Sequence, residues 1–294
     1  MLFITGASGT LGSKVVRQLE LIKEPFRGGY FSEEQAKDAR ARGINAAIID
    51  YNRPDTLRAA FQGCDKLFLL GPNVLNQAEL EQNAVKAAKE SGVAHIVKQS
   101  VLGADEEAFS LAKVHRPGEK AIESSGLAWT FLRPNSFMQN AATFMAQTIR
   151  VKSAFYSASG TAKISHVDVR DIAAVAVKAL TEPDHEGKAY TLTGPEAVTY
   201  DELASEFTKS LGRPINHISL SPSDLKGGML AEGMPVAIAD RMLDLERYFR
   251  EGWAARKTND IQQVTGKEPR RYADYIRETA ATGVWDEEVE KVAS

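Results

Sequence analysis

The stretch Thr5-Gly6-Ala7-Ser8-Gly9-Thr10-Leu11-Gly12 places glycines three residues apart near the start of the chain. A glycine inside regular structure costs roughly 0.5–1 kcal/mol relative to alanine, so three at a fixed spacing mark a backbone that turns tightly or lies close against something. The chemistry open to such a segment is phosphate binding. Where a strand runs through a glycine turn into a helix, the free N–H groups of the helix converge on an anion. Both flanks have that form: Leu2-Phe3-Ile4 is a short apolar run of the kind a buried parallel strand shows, and Leu11, Val15, Val16, Leu19 and Ile22 recur at helical spacing. The competing reading is an ordinary tight strand-to-helix turn, which glycine spacing alone barely outweighs. The combination reads as a dinucleotide site held by Gly6, Ser8, Gly9, Thr10, Leu11 and Gly12.

The elements that must position such a site alternate along the first half of the chain. A second strand over 25–31 carries Gly28-Gly29, a polar helix over 33–43 closes on a glycine, and a third strand in the segment 46–52 ends in Asp50. A fourth strand ends at Gly71-Pro72, a helix follows over 78–92, a fifth strand over 95–100 ends at Ser100, and a sixth covers 128–134 after a helix at about 114–124. Alternation of this kind predicts an α/β fold, a Rossmann-type doubly wound parallel sheet covered on both faces. Past Asn135 the rhythm loosens. Helices over 168–180 and 199–212 stand out, the second opening on a Thr199/Glu202 capping box. Short strands are expected at 189–193 and 215–220, and Ser221-Pro222 marks a further helix start. The expected division is a dinucleotide-binding domain over 1–150, with 163–192 adding sheet and helix, and a smaller, mostly helical substrate-binding part over 195–294.

In doubly wound sheets ligands bind beyond the carboxyl ends of the strands. The tip of the second strand should meet the adenosine ribose, where an acid accepts from a 2′-hydroxyl and a base holds a 2′-phosphate. Phe31 and Ser32 stand there and are neither, with Glu33 and Glu34 next and Arg27, Lys37 and Arg40 in the neighbourhood. NADP(H) is the preferred cofactor of this reading, and NAD(H) stays open. Asp50 and Tyr51 are expected beside the adenine, and Gly71 and Pro72 beside the diphosphate or the nicotinamide ribose. Gly28 and Gly29 remove side chains where a parallel strand normally packs, so another group must fill that space.

With 36 basic and 39 acidic residues the formal charge is −3, which does not suit a surface built for nucleic acid or an anionic membrane. No apolar run approaches the roughly 20 residues that span a bilayer. The first residues read as a strand, so no signal peptide is expected. The single Cys64 cannot form an internal disulfide, which points to a reducing cytoplasm, and it reads better as a small buried filler than as a nucleophile. No metal site is expected. Monomer and homodimer are both compatible with the pattern.

Taken together, the segments ITGASGTLG, DYNRPDTLRAAFQGCDKLFLL, AVKAAKESGVAHIVKQS, GLAWTFLRPNSFMQN and HVDVRDIAAVAV, with the tail TNDIQQVTGKEPRRYADYI, resemble the NmrA-like branch of the atypical short-chain dehydrogenase/reductases. Within it the chain is most similar to the NAD(P)H-dependent quinone and triphenylmethane-dye reductases. Ordinary members of the superfamily use a Tyr-x-x-x-Lys pair, and here His115 and Glu119 occupy that spacing, as in the quinone and dye reductases. Residues four apart share a helix face, although Pro117-Gly118 between them is also a helix-starting signal. The resemblance implies direct hydride transfer to a conjugated acceptor, with His115 orienting the acceptor or supplying a proton. It also implies roles for Ser100 at the tip of the fifth strand, for Lys113 and Pro134 on the cofactor side, and for Asn135, Phe137, Met138 and His166 on the substrate side. Strand-end capping for Ser100, surface exposure for Lys113 and core packing for Phe137 and Met138 are the competing structural readings. Asp171 reads as a helix-start residue. Three functions stay open: a reductase of quinone-like acceptors, a non-catalytic NADP-binding redox sensor, and a carbonyl or imine reductase of a biosynthetic pathway.

Overall fold

A computed structural model describes residues 1–287, and the last seven positions of the expected C-terminal part, 288–294, lie outside the described residues. In chain order the elements are β1 (Leu2–Ile4), α1 (Gly12–Ile22), β2 (Phe26–Tyr30), α2 (Glu33–Ala41), β3 (Ala46–Ile48), α3 (Pro54–Phe61), β4 (Lys66–Leu69), α4 (Gln77–Glu90), β5 (His95–Gln99), α5 (Ser110–Ser125) and β6 (Ala128–Pro134). There follow α6 (Ala146–Lys152), β7 (Ala154–Ser157), α7 (Val169–Thr181), β8 (Lys188–Leu192), α8 (Tyr200–Leu211), β9 (Asn216–Ser219), α9 (Pro222–Ala231), α10 (Val236–Arg250), α11 (Asp260–Thr265) and α12 (Tyr272–Ala280).

Two compact units emerge. The first comprises Met1–Pro134, Val169–Leu192 and Asn259–Lys267, and residues 135–168, 193–258 and those from Glu268 on form the second. Residues 135–150 therefore group with the second unit. The first unit holds the doubly wound sheet that the alternation predicts: seven parallel strands in the order β3-β2-β1-β4-β5-β6-β8. Its central strands are apolar because helices cover both faces. Leu57, Phe61, Leu67, Ile96 and Phe131 are fully buried in one layer, and α1 is tied to α7 where the Gln18 side chain donates to the Arg170 carbonyl at 3.0 Å. In the second unit β7 pairs in parallel with β9.

The structure shifts two boundaries and adds one strand. The helix expected near 114 begins at Ser110 and continues through Pro117. Strand β3 stops at Ile48, so Asp50 and Tyr51 lie in the turn beyond it. Strand β7 was not anticipated.

The Gly28-Gly29 pair in β2 is explained by its neighbours. A Cβ on Gly28 would stand 2.9 Å from the Tyr30 ring, and one on Gly29 would stand 2.8 Å from both Ile49 Cδ1 and Phe3 Cε1. The large side chains of Phe3, Tyr30 and Ile49 take the space the glycines leave. Gly29→Ala is expected to lower stability by about 1–3 kcal/mol through overpacking. A lower urea midpoint at unchanged slope is the result to look for.

Candidate active site

The glycine segment joins β1 to α1. Thr5 anchors it, its hydroxyl donating to the Phe68 carbonyl at 3.0 Å and accepting from the Leu70 N–H at 2.7 Å. Gly6 adopts φ +58°, a left-handed conformation that side chains disfavour, and its carbonyl accepts from the Gly9 N–H at 2.9 Å. A Cβ on Gly12 would overlap the Gly6 carbonyl oxygen, so the loop and the first turn of α1 approach each other as only glycine permits. No side chain caps α1 and no acid stands in its first turn, while Ser8, Gly9 and Thr10 are exposed. Within that turn no acidic side chain competes for an anion. These features fit a dinucleotide diphosphate.

Beyond β2, the Ser32 hydroxyl caps α2 by accepting from the Gln35 N–H at 3.3 Å, and the Arg40 guanidinium pairs with Glu33 at 2.8 Å. Phe31 is 78% exposed. The Asp50 carboxylate accepts from the Asn52 N–H at 2.9 Å, and the Tyr51 hydroxyl donates to the Leu70 carbonyl at 2.6 Å, where burial pushes its pKa up. Gly71 and Pro72 follow β4 and are half-buried.

The centre of this unit holds a charged cluster that the sequence reading did not anticipate. Lys98 in β5 and Glu81 in α4 form an ion pair at 2.6 Å with both side chains fully buried. Room for the Glu81 carboxylate comes from Gly71 on one side and Gly118 on the other, since a Cβ at either position would overlap one of its oxygens. The Gln77 amide donates to Glu81 Oε1 at 3.0 Å, and both Gln77 Nε2 and Lys98 Nζ lie 3.4 Å from His115 Nδ1. The signal was present in the sequence as a lysine inside an apolar strand and a glutamate on the apolar stripe of α4.

His115 and Glu119 are both buried on α5, but their partners differ. Glu119 accepts from Arg133 Nε and from a second Arg133 nitrogen, each at 2.9 Å, and pairs with Arg116 at 3.0 Å. That bidentate clamp ties α5 to β6. Ser100 is fully buried, with its hydroxyl making no hydrogen bond, and Lys113 is exposed. Pro134 closes β6, and its carbonyl accepts from the Leu102 N–H at 2.9 Å.

Within the second unit, Asn135 uses its amide fully, donating to the Ser165 hydroxyl and to the Ala254 carbonyl at 2.8 Å each and accepting from the Ser136 N–H at 2.8 Å. Met138 is 1% exposed and Phe137 half-buried. His166 stacks on Tyr272 at 4.9 Å, and neither ring nitrogen makes a hydrogen bond. Burial lowers its pKa to about 3. A histidine kept neutral in the fold but free to protonate when unfolded binds fewer protons in the native state, so its contribution is present above 6.5 and is lost as pH falls toward 3. His166→Phe is therefore expected to flatten the loss of stability over this window, by about 1.4 kcal/mol per pH unit in urea titrations. Ser157, His217 and Asp201 share the connectivity of a hydrolytic triad, at 2.8 Å from Ser157 Oγ to Nε2 and 2.7 Å from Nδ1 to Asp201. Their burial is inverted, however, with the serine 1% exposed and the aspartate side chain 68% exposed. The serine has no access to a substrate carbonyl, and the trio ties β7, β9 and α8 together.

Residues 6–183 match the model of a family described as NAD(P)H-binding. The chain belongs to the NAD(P)H-binding family. It is 37% identical over 282 residues to an NAD(P)H azoreductase of Xenophilus azovorans, covering 96% of this chain and 98% of that one. Among solved structures it is similar to an NADPH-dependent quinone oxidoreductase of Escherichia coli complexed with NADPH, with a TM-score of 0.86, 30% identity, and 95% and 100% of the two chains covered. It is likewise similar to the triphenylmethane reductase of a Citrobacter species complexed with NADP(H), with a TM-score of 0.85, 27% identity and the same coverage. The chain is an NAD(P)H-dependent oxidoreductase of the Rossmann type, as the glycine segment and the resemblance led us to expect. No helix among the described residues is long and apolar enough to cross a membrane.

Proposed function

We propose that the protein reduces a quinone-like or otherwise conjugated small molecule with NADPH, and that His115 is the side chain that meets the acceptor. The observation that carries this is the buried Gln77–Glu81–Lys98 cluster, which contacts His115 Nδ1 through Gln77 and Lys98, because it fixes the orientation of a ring on α5, the helix that follows β5 in the chain. The similarity to azo, quinone and dye reductases supports the acceptor class.

Bound NAD(P)H supplies the hydride. Gly6, Gly9 and Gly12, with Ser8, Thr10 and Leu11, hold its diphosphate against the start of α1. In this reading Phe31 and Ser32 border the ribose, Asp50 and Tyr51 border the adenine, and Gly71, Pro72, Lys113 and Pro134 complete the cofactor side. Tyr51 acts there through its backbone, since its hydroxyl is bonded to Leu70. His115 places a hydrogen-bond donor where negative charge develops on the acceptor. Glu119 holds α5 to β6 through Arg133. Ser100 lies fully enclosed just beyond β5 with its hydroxyl making no hydrogen bond. In the second unit, Asn135, Met138 and His166 support their own unit's packing, and Phe137 is half-buried.

A quinone spreads incoming charge over its own π-system, whereas an isolated carbonyl concentrates it on one oxygen and depends on a nearby proton. His115→Ala is therefore expected to lower aldehyde or ketone reduction by about 100-fold or more and quinone reduction by about 10-fold or less. Steady-state kcat/KM on both acceptor types tests this, and equal losses would contradict it. The sensor reading keeps the same cofactor site and has no use for an oriented donor at His115. A biosynthetic carbonyl or imine reductase would show the reverse acceptor preference.

A further inference from the structure

We propose that Lys98 and Glu81 are positioning residues that hold His115 as a neutral ring protonated on Nε2, so that it presents an N–H to the acceptor. The inference rests on the reading of His115 given above and adds the proton state and the groups that set it.

The hydrogen-bond inventory leads there. An ammonium has three donors and no acceptor. Lys98 Nζ has three acceptors around it: Glu81 Oε1 at 2.6 Å, the Gln99 carbonyl at 3.2 Å and His115 Nδ1 at 3.4 Å. The Gln77 amide nitrogen, oriented as a donor by Glu81 Oε1 at 3.0 Å, meets the same Nδ1 at 3.4 Å. Two groups that can only donate face this nitrogen, which must therefore accept. The ring proton of neutral His115 then lies on Nε2.

Stability gives no reason for the cluster. Glu81 Oε2 is buried against Gly118 and accepts no hydrogen bond, and a buried ion pair with an unsatisfied oxygen is a poor way to hold α4 on β5. An apolar pair of similar volume would pack there without that penalty. What the charges do that methylenes cannot is dictate which imidazole nitrogen carries the proton. Gly71 and Gly118 fit the same purpose, since they leave room for a carboxylate and for the Lys98 stem, whose Cε would lie 3.2 Å from a Cβ on Gly118.

The test is long-range proton–nitrogen NMR on the full chain carrying labelled histidine, with the His115 signals assigned by their loss in His115→Gln. At neutral pH we expect a bare Nδ1 and a protonated Nε2. A protonated Nδ1, alone or in an imidazolium, overturns the proposal and needs no variant. In Lys98→Met/Glu81→Gln, which removes both charges together and so avoids a lone buried ion, the ring is expected to populate both tautomers. Quinone kcat should fall about 2-fold, less than in His115→Ala, while KM for NADPH stays about unchanged. A folded double variant with the wild-type tautomer pattern overturns the role of the pair. If the wild-type ring is in the Nε2–H form but His115→Ala turns over every acceptor as well as wild type, the assignment of the ring stands and the catalytic reading fails.

Discussion

Gly12→Val is expected to weaken NADPH binding by about 100-fold or more and to lower the thermal midpoint. A Cβ at this position would overlap the Gly6 carbonyl oxygen, and it would lie 3.2 Å from the Ala7 Cα, so backbone and not a flexible side chain has to move. Separating the loop from α1 turns the first-turn N–H groups away from the diphosphate. Overpacking costs about 1–3 kcal/mol, and a displaced anion site loses a tenfold in affinity for every 1.4 kcal/mol. Gly227→Ala is the matched control. Gly227 lies in α9 with open space around its Cβ, so alanine there should leave NADPH affinity unchanged and raise helix stability by up to about 1 kcal/mol. Fluorescence titration with NADPH and a thermal scan on both variants separate the two expectations. Equal affinity in Gly12→Val and wild type would remove the glycine loop from the cofactor site.

The second large effect concerns the buried pair. Lys98→Met leaves the Glu81 carboxylate without its cation, and Glu81→Gln leaves the Lys98 ammonium without its anion, each fully enclosed. Breaking a buried ion pair from one side typically costs 3–5 kcal/mol, roughly the whole stability of a marginal variant. Removing both charges together leaves only a neutral amide and a thioether of similar volume. Lys98→Met/Glu81→Gln should therefore unfold within about 1–2 kcal/mol of wild type. The pairwise coupling expected from urea curves of the three variants is then several kcal/mol, far beyond the few tenths seen for independent sites. Additive losses would show that the two side chains do not act as a unit.

Local signals carried much of this from sequence to structure. The strand, glycine turn and helix at the N-terminus are contiguous, so spacing alone identified them, and the alternation of apolar runs led directly to the parallel sheet. The Gly28-Gly29 anomaly was visible, but its cause was not, because Phe3 and Ile49 reach it from neighbouring parts of the sheet. Helix α5 was expected from about 114 and begins four residues earlier, at Ser110, and Pro117, weighed as a residue that could delay the start, does not do so. In the structure this proline sits inside a helix that packing holds on both sides of it. Glu119 looked like a catalytic partner because it stands four residues from His115, yet Arg133, fourteen residues on, claims its carboxylate. The Lys98–Glu81 pair is likewise a tertiary event between β5 and α4. The lysine in HIVKQ and the glutamate on an apolar helix stripe stand 17 residues apart, so no local spacing links them and only the folded structure pairs them.

Hydride transfer to conjugated acceptors is tested most directly by protein-dependent NADPH oxidation by the full chain. The panel should hold several quinones, a cationic triarylmethane dye, an azo dye, and simple aldehydes and ketones, with NADH run in parallel. The expected result is turnover on the conjugated acceptors, at a kcat/KM well above that for the isolated carbonyls. NADPH that binds without being oxidised by any member of the panel would contradict the account and identify a cofactor-sensing protein instead.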